Sequence, residues 1–315
     1  MPSSASPLRR SLLLALAGAG LPACTRPTIA AADAPALHHP TAQRSPAGYR
    51  VARFGLDSAD GLRRYRVQLA TPMAVPPAAG YPLLVLLDGN AAFDLLTEDM
   101  LAPSAASGRP LAIAAIGYEA DRQGETVARS FDYTPPVPGE DPTWDDEARQ
   151  RPGGGADTFL DLLERRVLPE IARHAPYDPA RSTLWGHSYG GLLALYTVFT
   201  RPALFPRYVA ADPSLWWHDG FILSVEQRAR PLPAQRRTSL LLMAGTTRPA
   251  EPTATQASRP EAMRRRAVLQ DATPQLAQRQ AQRAGMHLTW TPFPGIGHGA
   301  MRQASLPATL ALALQ

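Results

Sequence analysis

At 315 residues and 45% apolar content, the chain suits one large α/β domain plus a leader, with enough apolar material for a substantial core. The formal charge is +5, and every basic residue is arginine. These arginines are scattered apart from Arg264-Arg265-Arg266 and show no aromatic interleaving, so a nucleic-acid groove is not expected. Cys24 is the only cysteine, which excludes a disulfide within the chain.

The first stretch reads as a leader, residues 1–33. Arg9-Arg10 precede the apolar run Leu12 to Leu21, which is too short to span a bilayer and has the size of a signal-peptide core. The arginine pair followed by Ser-Leu-Leu-Leu resembles a twin-arginine export signal, and plain secretory export is the alternative. Leu21-Pro22-Ala23-Cys24 resembles a lipobox, which would put a lipid and a membrane anchor on Cys24; cleavage near Ala30 to Ala34 competes with it. Residues 34–48, rich in Ala, Pro and His, read as a linker. His38-His39 lack further ligands nearby, so no metal site is expected there.

From residue 49 to 315 the rhythm is that of a catalytic domain. Tyr49 to Phe54 and Arg63 to Ala70 read as an antiparallel hairpin. Tyr81 to Leu87 and Leu111 to Tyr118 are continuous apolar runs, the mark of strands covered on both faces. Arg181 to Trp185, Arg207 to Ala211, Ser239 to Ala244 and His287 to Pro292 complete the strands. Helices are expected over Ala91 to Leu101, Thr158 to Ala172, Gly191 to Phe199, Ala262 to Arg283 (broken at Pro274) and Met301 to Leu314. A hairpin followed by alternating strands and helices predicts an α/β fold, with a mostly parallel central sheet and helices on both faces. Thr134 to Gly155 and Thr246 to Pro260 read as long polar loops of the kind that border a site at the carboxyl ends of strands.

The chemistry centres on Gly186-His187-Ser188-Tyr189-Gly190. This G-x-S-x-G lies between a strand and a helix, the setting in which a tight turn presents a serine hydroxyl as nucleophile. Such a hydroxyl needs a base. His298, glycine-flanked in a loop after the last strand, has the position an α/β-hydrolase base takes, and none of the other histidines fits. The acid is less defined. Glu251 is the first carboxylate after the strand Ser239 to Ala244, Glu261 is the next, and Asp212 after Arg207 to Ala211 is the other geometric option. A Ser–His dyad oriented by a backbone carbonyl would also serve. The oxyanion hole is expected from the Tyr189 amide and from Asn90, with Gly89, in the Asp88-Gly89-Asn90 turn. Gly153-Gly154-Gly155 lacks the ending of a phosphate cradle and reads as flexible chain before the next helix.

Taken together, Leu87 to Asn90, Arg129 to Pro135, Gly153 to Leu160, Gly186 to Gly191 and Pro213 to Trp217 make the chain resemble the putative-esterase family of α/β-hydrolases. Within it the pattern is similar to periplasmic esterases that open the trilactone of catecholate siderophores such as enterobactin and salmochelin. The resemblance implies an α/β-hydrolase fold and an exported, periplasmic serine esterase acting through Ser188 and His298, in a group where the third member can be absent. It implies a siderophore or its ferric complex as substrate, with no cofactor. It also implies that Arg129 contacts substrate oxygens, where a guanidinium suits a polyanionic ligand. Trp216 and Trp217 follow a strand end and could wall an aryl ring, and at least one of them is expected to be core instead. A general carboxylesterase or an acyltransferase on the same machinery is the alternative; a non-catalytic binding lipoprotein is a third.

Overall fold

Continuous apolar runs form the central strands of an eight-stranded sheet. The computed structural model describes residues 48–106, 108, 110–247 and 268–315. The leader, most of the linker, Glu251, Glu261 and Arg264 to Arg266 lie outside the described residues. The strands are β1 Tyr49–Asp57, β2 Arg64–Pro72, β3 Tyr81–Leu86, β4 Ala112–Tyr118, β5 Trp144–Asp146, β6 Arg151–Pro152, β7 Tyr177–His187, β8 Arg207–Ala211, β9 Thr238–Gly245 and β10 Met286–Phe293. The central sheet runs in the order β1-β2-β4-β3-β7-β8-β9-β10. β1 pairs antiparallel with β2, and β2 antiparallel with β4. Every later pairing in this sheet is parallel. This is the α/β-hydrolase fold, with all eight expected strands present.

The helices are α1 Gly89–Ala92, α2 Glu98–Ala106, α3 Arg122–Tyr133, α4 Ala156–Leu162, α5 Leu168–His174, α6 Tyr189–Thr200, α7 Phe221–Gln227, α8 Thr273–Ala281, α9 Met301–Ala304 and α10 Leu306–Ala313. Side chains of β3 alternate between two cores, as period-two geometry requires. Leu83, Val85 and Leu87 join Phe159, Leu192, Ile222 and Leu276 on one face. Leu84 and Leu86 join Phe93, Leu101, Leu306 and Leu310 on the other. Helices therefore cover both faces, and every residue of β3 and β4 is buried.

Several local expectations change. The single helix expected over Ala91 to Leu101 is α1, a 3₁₀ turn Phe93–Leu95, and then α2. The helix expected over Thr158 to Ala172 widens into a π-turn at Leu163–Val167 before Pro169. Proline has no N–H to donate and its ring crowds the carbonyl four residues back, so the ladder must open there. Pro274 interrupts its helical stretch by starting α8. α3 and α7 are additional helices. The loop Thr134 to Gly155 contains the hairpin β5–β6.

Candidate active site

Four carboxyl-terminal strand ends converge on one spot. Ser188 follows β7 directly, with φ 59 and ψ −116, and α6 begins at the next residue. A side chain in this conformation is strained and persists only where the surroundings fix it. Gly186 is the glycine the turn demands, because a Cβ there would sit 2.1 Å from the Gly190 carbonyl oxygen. Gly190 itself has ordinary room, with Leu87 Cβ 3.4 Å from its hypothetical Cβ. The Ser188 carbonyl accepts from Leu192 and Ser214 amides, while its own amide donates to Ala211 O, so the turn is tied to α6 and to the end of β8.

Ser188 Oγ is 3.1 Å from His298 Nε2, and His298 Nδ1 is 2.7 Å from Asp212 Oδ2. A carboxylate only accepts, so Nδ1 carries the proton and Nε2 offers its lone pair to the serine hydroxyl. The Asp212 carboxylate is buried, and its Oδ1 accepts from Gln270 Nε2 at 3.1 Å. Its amide donates to Met243 O at 2.7 Å, fixing a residue held at φ 45. Ser214 Oγ lies 3.2 Å from Ser188 Oγ.

Of the carboxylates weighed for the third member, the structure places Asp212, the other geometric option, against His298. The expectation of Glu251 falls on a residue outside the described ones, and the carboxylate on His298 is Asp212. The physical reason lies at the end of β9. A Cβ on Gly245 would be 2.3 Å from Ile296 O, and the Thr247 amide donates to that same oxygen. Backbone of the histidine loop thus occupies the end of β9, and the carboxylate comes from β8, one strand nearer the serine.

His187, the residue before the serine, holds the histidine loop from below. Its Nε2–H donates to His298 O at 2.8 Å, and the two rings lie 4.8 Å apart. Burial, with His298 nearby, lowers its pKa to about 4, so the ring is neutral at physiological pH.

The expected oxyanion turn begins at Asp88, which has φ 54. Gly89 and Asn90 form the first turn of α1, and Tyr189 the first of α6, where backbone amides have no partner within the helix. The Asn90 side chain faces away from the serine: Nδ2 donates to Tyr118 O and Oδ1 accepts from Arg66 Nη2, each at 2.9 Å. Only its backbone can serve the site.

Arg129 lies on α3, and its guanidinium forms an ion pair within the protein. Nε and Nη2 bind the Asp88 carboxylate at 2.5 and 2.9 Å, and Nη2 also reaches His187 O at 3.2 Å. It therefore links the Asp88 turn to the serine turn, while its side chain keeps 21% exposure. The guanidinium also lies over the Tyr189 ring, 5.2 Å from its centroid. Trp217 is core, 2% exposed, with its indole N–H donating to Asp145 Oδ1 at 2.9 Å. It cannot line a pocket directly. Trp216 remains partly exposed, its ring 5.8 Å from that of Tyr189.

A family model described as Putative esterase matches residues 58–309. The chain belongs to that family. Among its curated relatives, the apo-salmochelin esterase of Escherichia coli O6:H1 is 31% identical over 287 residues, covering 91% of this chain and 86% of that protein. The ferri-bacillibactin esterase BesA of Bacillus subtilis is 36% identical over 166 residues, covering 51% of this chain and 57% of that protein. Of solved structures, the enterobactin hydrolase IroE in complex with DFP superposes with a TM-score of 0.62 at 31% identity, covering 85% of this chain and 96% of that one. The siderophore hydrolase EstB of Aspergillus nidulans gives 0.68 at 28% identity, covering 84% and 94%. As a member of this family, the protein is a serine hydrolase acting on ester bonds.

Proposed function

We propose that this esterase cleaves the backbone esters of a catecholate siderophore, releasing iron from its ferric complex, through a Ser188–His298–Asp212 triad. The hydrogen-bonded chain from Asp212 through His298 to Ser188 Oγ carries the mechanistic reading. His298 Nε2 takes the Ser188 proton as Oγ attacks the ester carbonyl. The Tyr189 amide and an amide of the Gly89-Asn90 turn hold the oxyanion. Collapse of the tetrahedral intermediate expels the alcohol, which takes the proton from His298 and leaves an acyl-Ser188. Water, deprotonated by His298, attacks that ester; the acid departs and Ser188 recovers its proton. Asp212 stays ionised and stabilises the imidazolium formed in each half-reaction.

The substrate class is supported by the relatives, whose names specify salmochelin, bacillibactin and enterobactin esters. Hydrolysis of apo and ferric enterobactin-type trilactones, with mass spectrometry of the fragments, tests it. Faster turnover of the trilactone than of a short p-nitrophenyl ester is expected; equal or slower turnover would favour a general carboxylesterase. Fragments esterified to an added alcohol would favour an acyltransferase. Fluorophosphonate labelling that disappears in Ser188→Ala tests the nucleophile and bears on the binding-lipoprotein reading.

The proposal extends to location. Arg9-Arg10 with the apolar run Leu12 to Leu21 supports export to the periplasm, and Cys24 would carry a lipid if the lipobox is read. Cell fractionation of the wild type and Cys24→Ala distinguishes a membrane-bound from a released protein.

A further inference from the structure

The chain segment from Thr134 to Gly155 reads from sequence as a loop bordering the site, yet one carboxylate within it is more deeply buried than any exposed loop needs. The Asp145 side chain has 0% exposure. Its Oδ1 accepts the Tyr189 hydroxyl at 2.7 Å and the Trp217 indole N–H at 2.9 Å. Its Oδ2 accepts from Arg151 Nε on β6. A carboxylate removed from water costs several kcal/mol unless its lone pairs are filled, so three donors converging on one carboxylate form a specified arrangement.

The donors come from three separate places: the serine turn, the loop after β8, and the other strand of the hairpin. Burial and the adjacent carboxylate raise the Tyr189 pKa, so its hydroxyl stays a donor. A second tie joins the same segments, where His218 Nε2 meets Glu140 Oε2 at 3.0 Å. The hairpin's return is equally constrained. A Cβ on Gly155 would lie 2.1 Å from the Phe131 ring, and one on Gly153 would lie 2.8 Å from Thr134 Oγ1. The Gly153-Gly154-Gly155 run is thus a close-packed passage over α3, and not a flexible one.

We propose that Asp145 is a positioning residue for the serine turn. By holding the Tyr189 hydroxyl, it fixes the side chain whose own backbone amide faces the developing oxyanion. By holding Trp217, it fixes the loop that presents Trp216 against the Tyr189 ring. The inference rests on the oxyanion role proposed for the Tyr189 amide. It assigns to the hairpin the task of setting transition-state geometry, and not of opening and closing over the site.

Asp145→Ala and the double variant Asp145→Asn with Arg151→Met test this. The asparagine keeps an oxygen for Tyr189 and Trp217, and methionine removes the guanidinium that would otherwise face its NH2 group. On a short p-nitrophenyl ester, Asp145→Ala is expected to lose about 10- to 100-fold in kcat with a smaller change in KM, the scale of a misplaced reacting geometry. The double variant should return to within about threefold of wild type, as an acceptor for both donors is restored. A purely structural role would lower Tm and leave kcat and KM of the folded fraction at wild-type values, and that result overturns the proposal. If Asp145→Ala does not fold, Tyr189→Phe decides: kcat should fall severalfold, and an unchanged kcat overturns the proposal. Wild-type enzyme that fails to label with fluorophosphonate or to cleave the ester would instead sink the serine mechanism itself.

Discussion

Asp212 and His298 lie 86 residues apart in the chain and 2.7 Å apart in space, carboxylate oxygen to imidazole Nδ1. The contact joins the end of β8 to the loop after β10, across β9. It makes a three-member chain of what the sequence leaves open between a triad and a dyad. On the proposed mechanism, Asp212→Asn lets the amide donate toward Nδ1 and so favours the wrong imidazole tautomer. A fall in kcat of about 10³- to 10⁴-fold is expected with KM nearly unchanged. Glu251→Gln should remain within about twofold of wild type, because Nδ1 of His298 already has its carboxylate. Steady-state kinetics on one ester, comparing both variants, checks the assignment; the opposite ranking would return the acid to Glu251.

The Arg129–Asp88 pair makes a separate prediction about stability. The Asp88 side chain is only 4% exposed, and Arg129 supplies both of its charged hydrogen bonds. Arg129→Ala would leave a buried carboxylate without its counter-ion, a loss of about 3 kcal/mol or more. Adding Asp88→Asn should recover much of it, since asparagine carries no charge and tolerates φ 54 better than most residues. Urea midpoints of the single and double variants measure the coupling. Additive effects would mean that the ion pair is not what holds this turn.

How far the sequence reaches depends on how local each cause is. Ser188 is legible because strand, tight turn and helix are contiguous, and His298 because a glycine-flanked loop follows the last strand. The central strands are legible because covering both faces demands unbroken apolar runs. α3 escapes that reading: it buries Ser130 and Asp132 alongside Ala128 and Tyr133, so its inner face is not an apolar stripe. Its one local signal is Asp121, whose carboxylate caps the Gly124 amide at 2.7 Å. Asp212 is legible only as one candidate among several, and Asp145 not at all, for another reason. Each is one acidic residue among many, and its partners are chosen by strand order and by a hairpin docking 44 residues from Tyr189.

The two glycines of the serine turn should respond differently to a methyl group. At Gly186 the added Cβ meets the Gly190 carbonyl oxygen at 2.1 Å, a backbone contact that cannot swing aside. At Gly190 the nearest atom is Leu87 Cβ at 3.4 Å, an ordinary van der Waals approach. Gly186→Ala is expected to abolish fluorophosphonate labelling and to cost several kcal/mol of stability, beyond the usual range for one added methyl in a core. Gly190→Ala should fold and label at a rate within about tenfold of wild type. Labelling rates and circular dichroism of the two proteins, run together, are sufficient to check this.

His187 gives the stability of the fold a pH dependence with a definite sign. Burial lowers its pKa to about 4, whereas an unfolded chain titrates near the ordinary value of 6.5. Between those values the unfolded chain binds the proton and the folded protein does not, so stability increases with pH across that window. The contribution is complete above pH about 6.5 and is lost as the pH falls toward about 4. The whole shift corresponds to about 3 kcal/mol, of which about 2 kcal/mol should disappear between pH 7 and pH 5. His187→Gln isolates this from the other titrating groups. Its amide can still donate to His298 O but binds no proton, so its urea midpoint should fall less than that of wild type over the same interval. Equal falls in the two proteins would mean that the imidazole below the histidine loop is not held neutral by burial.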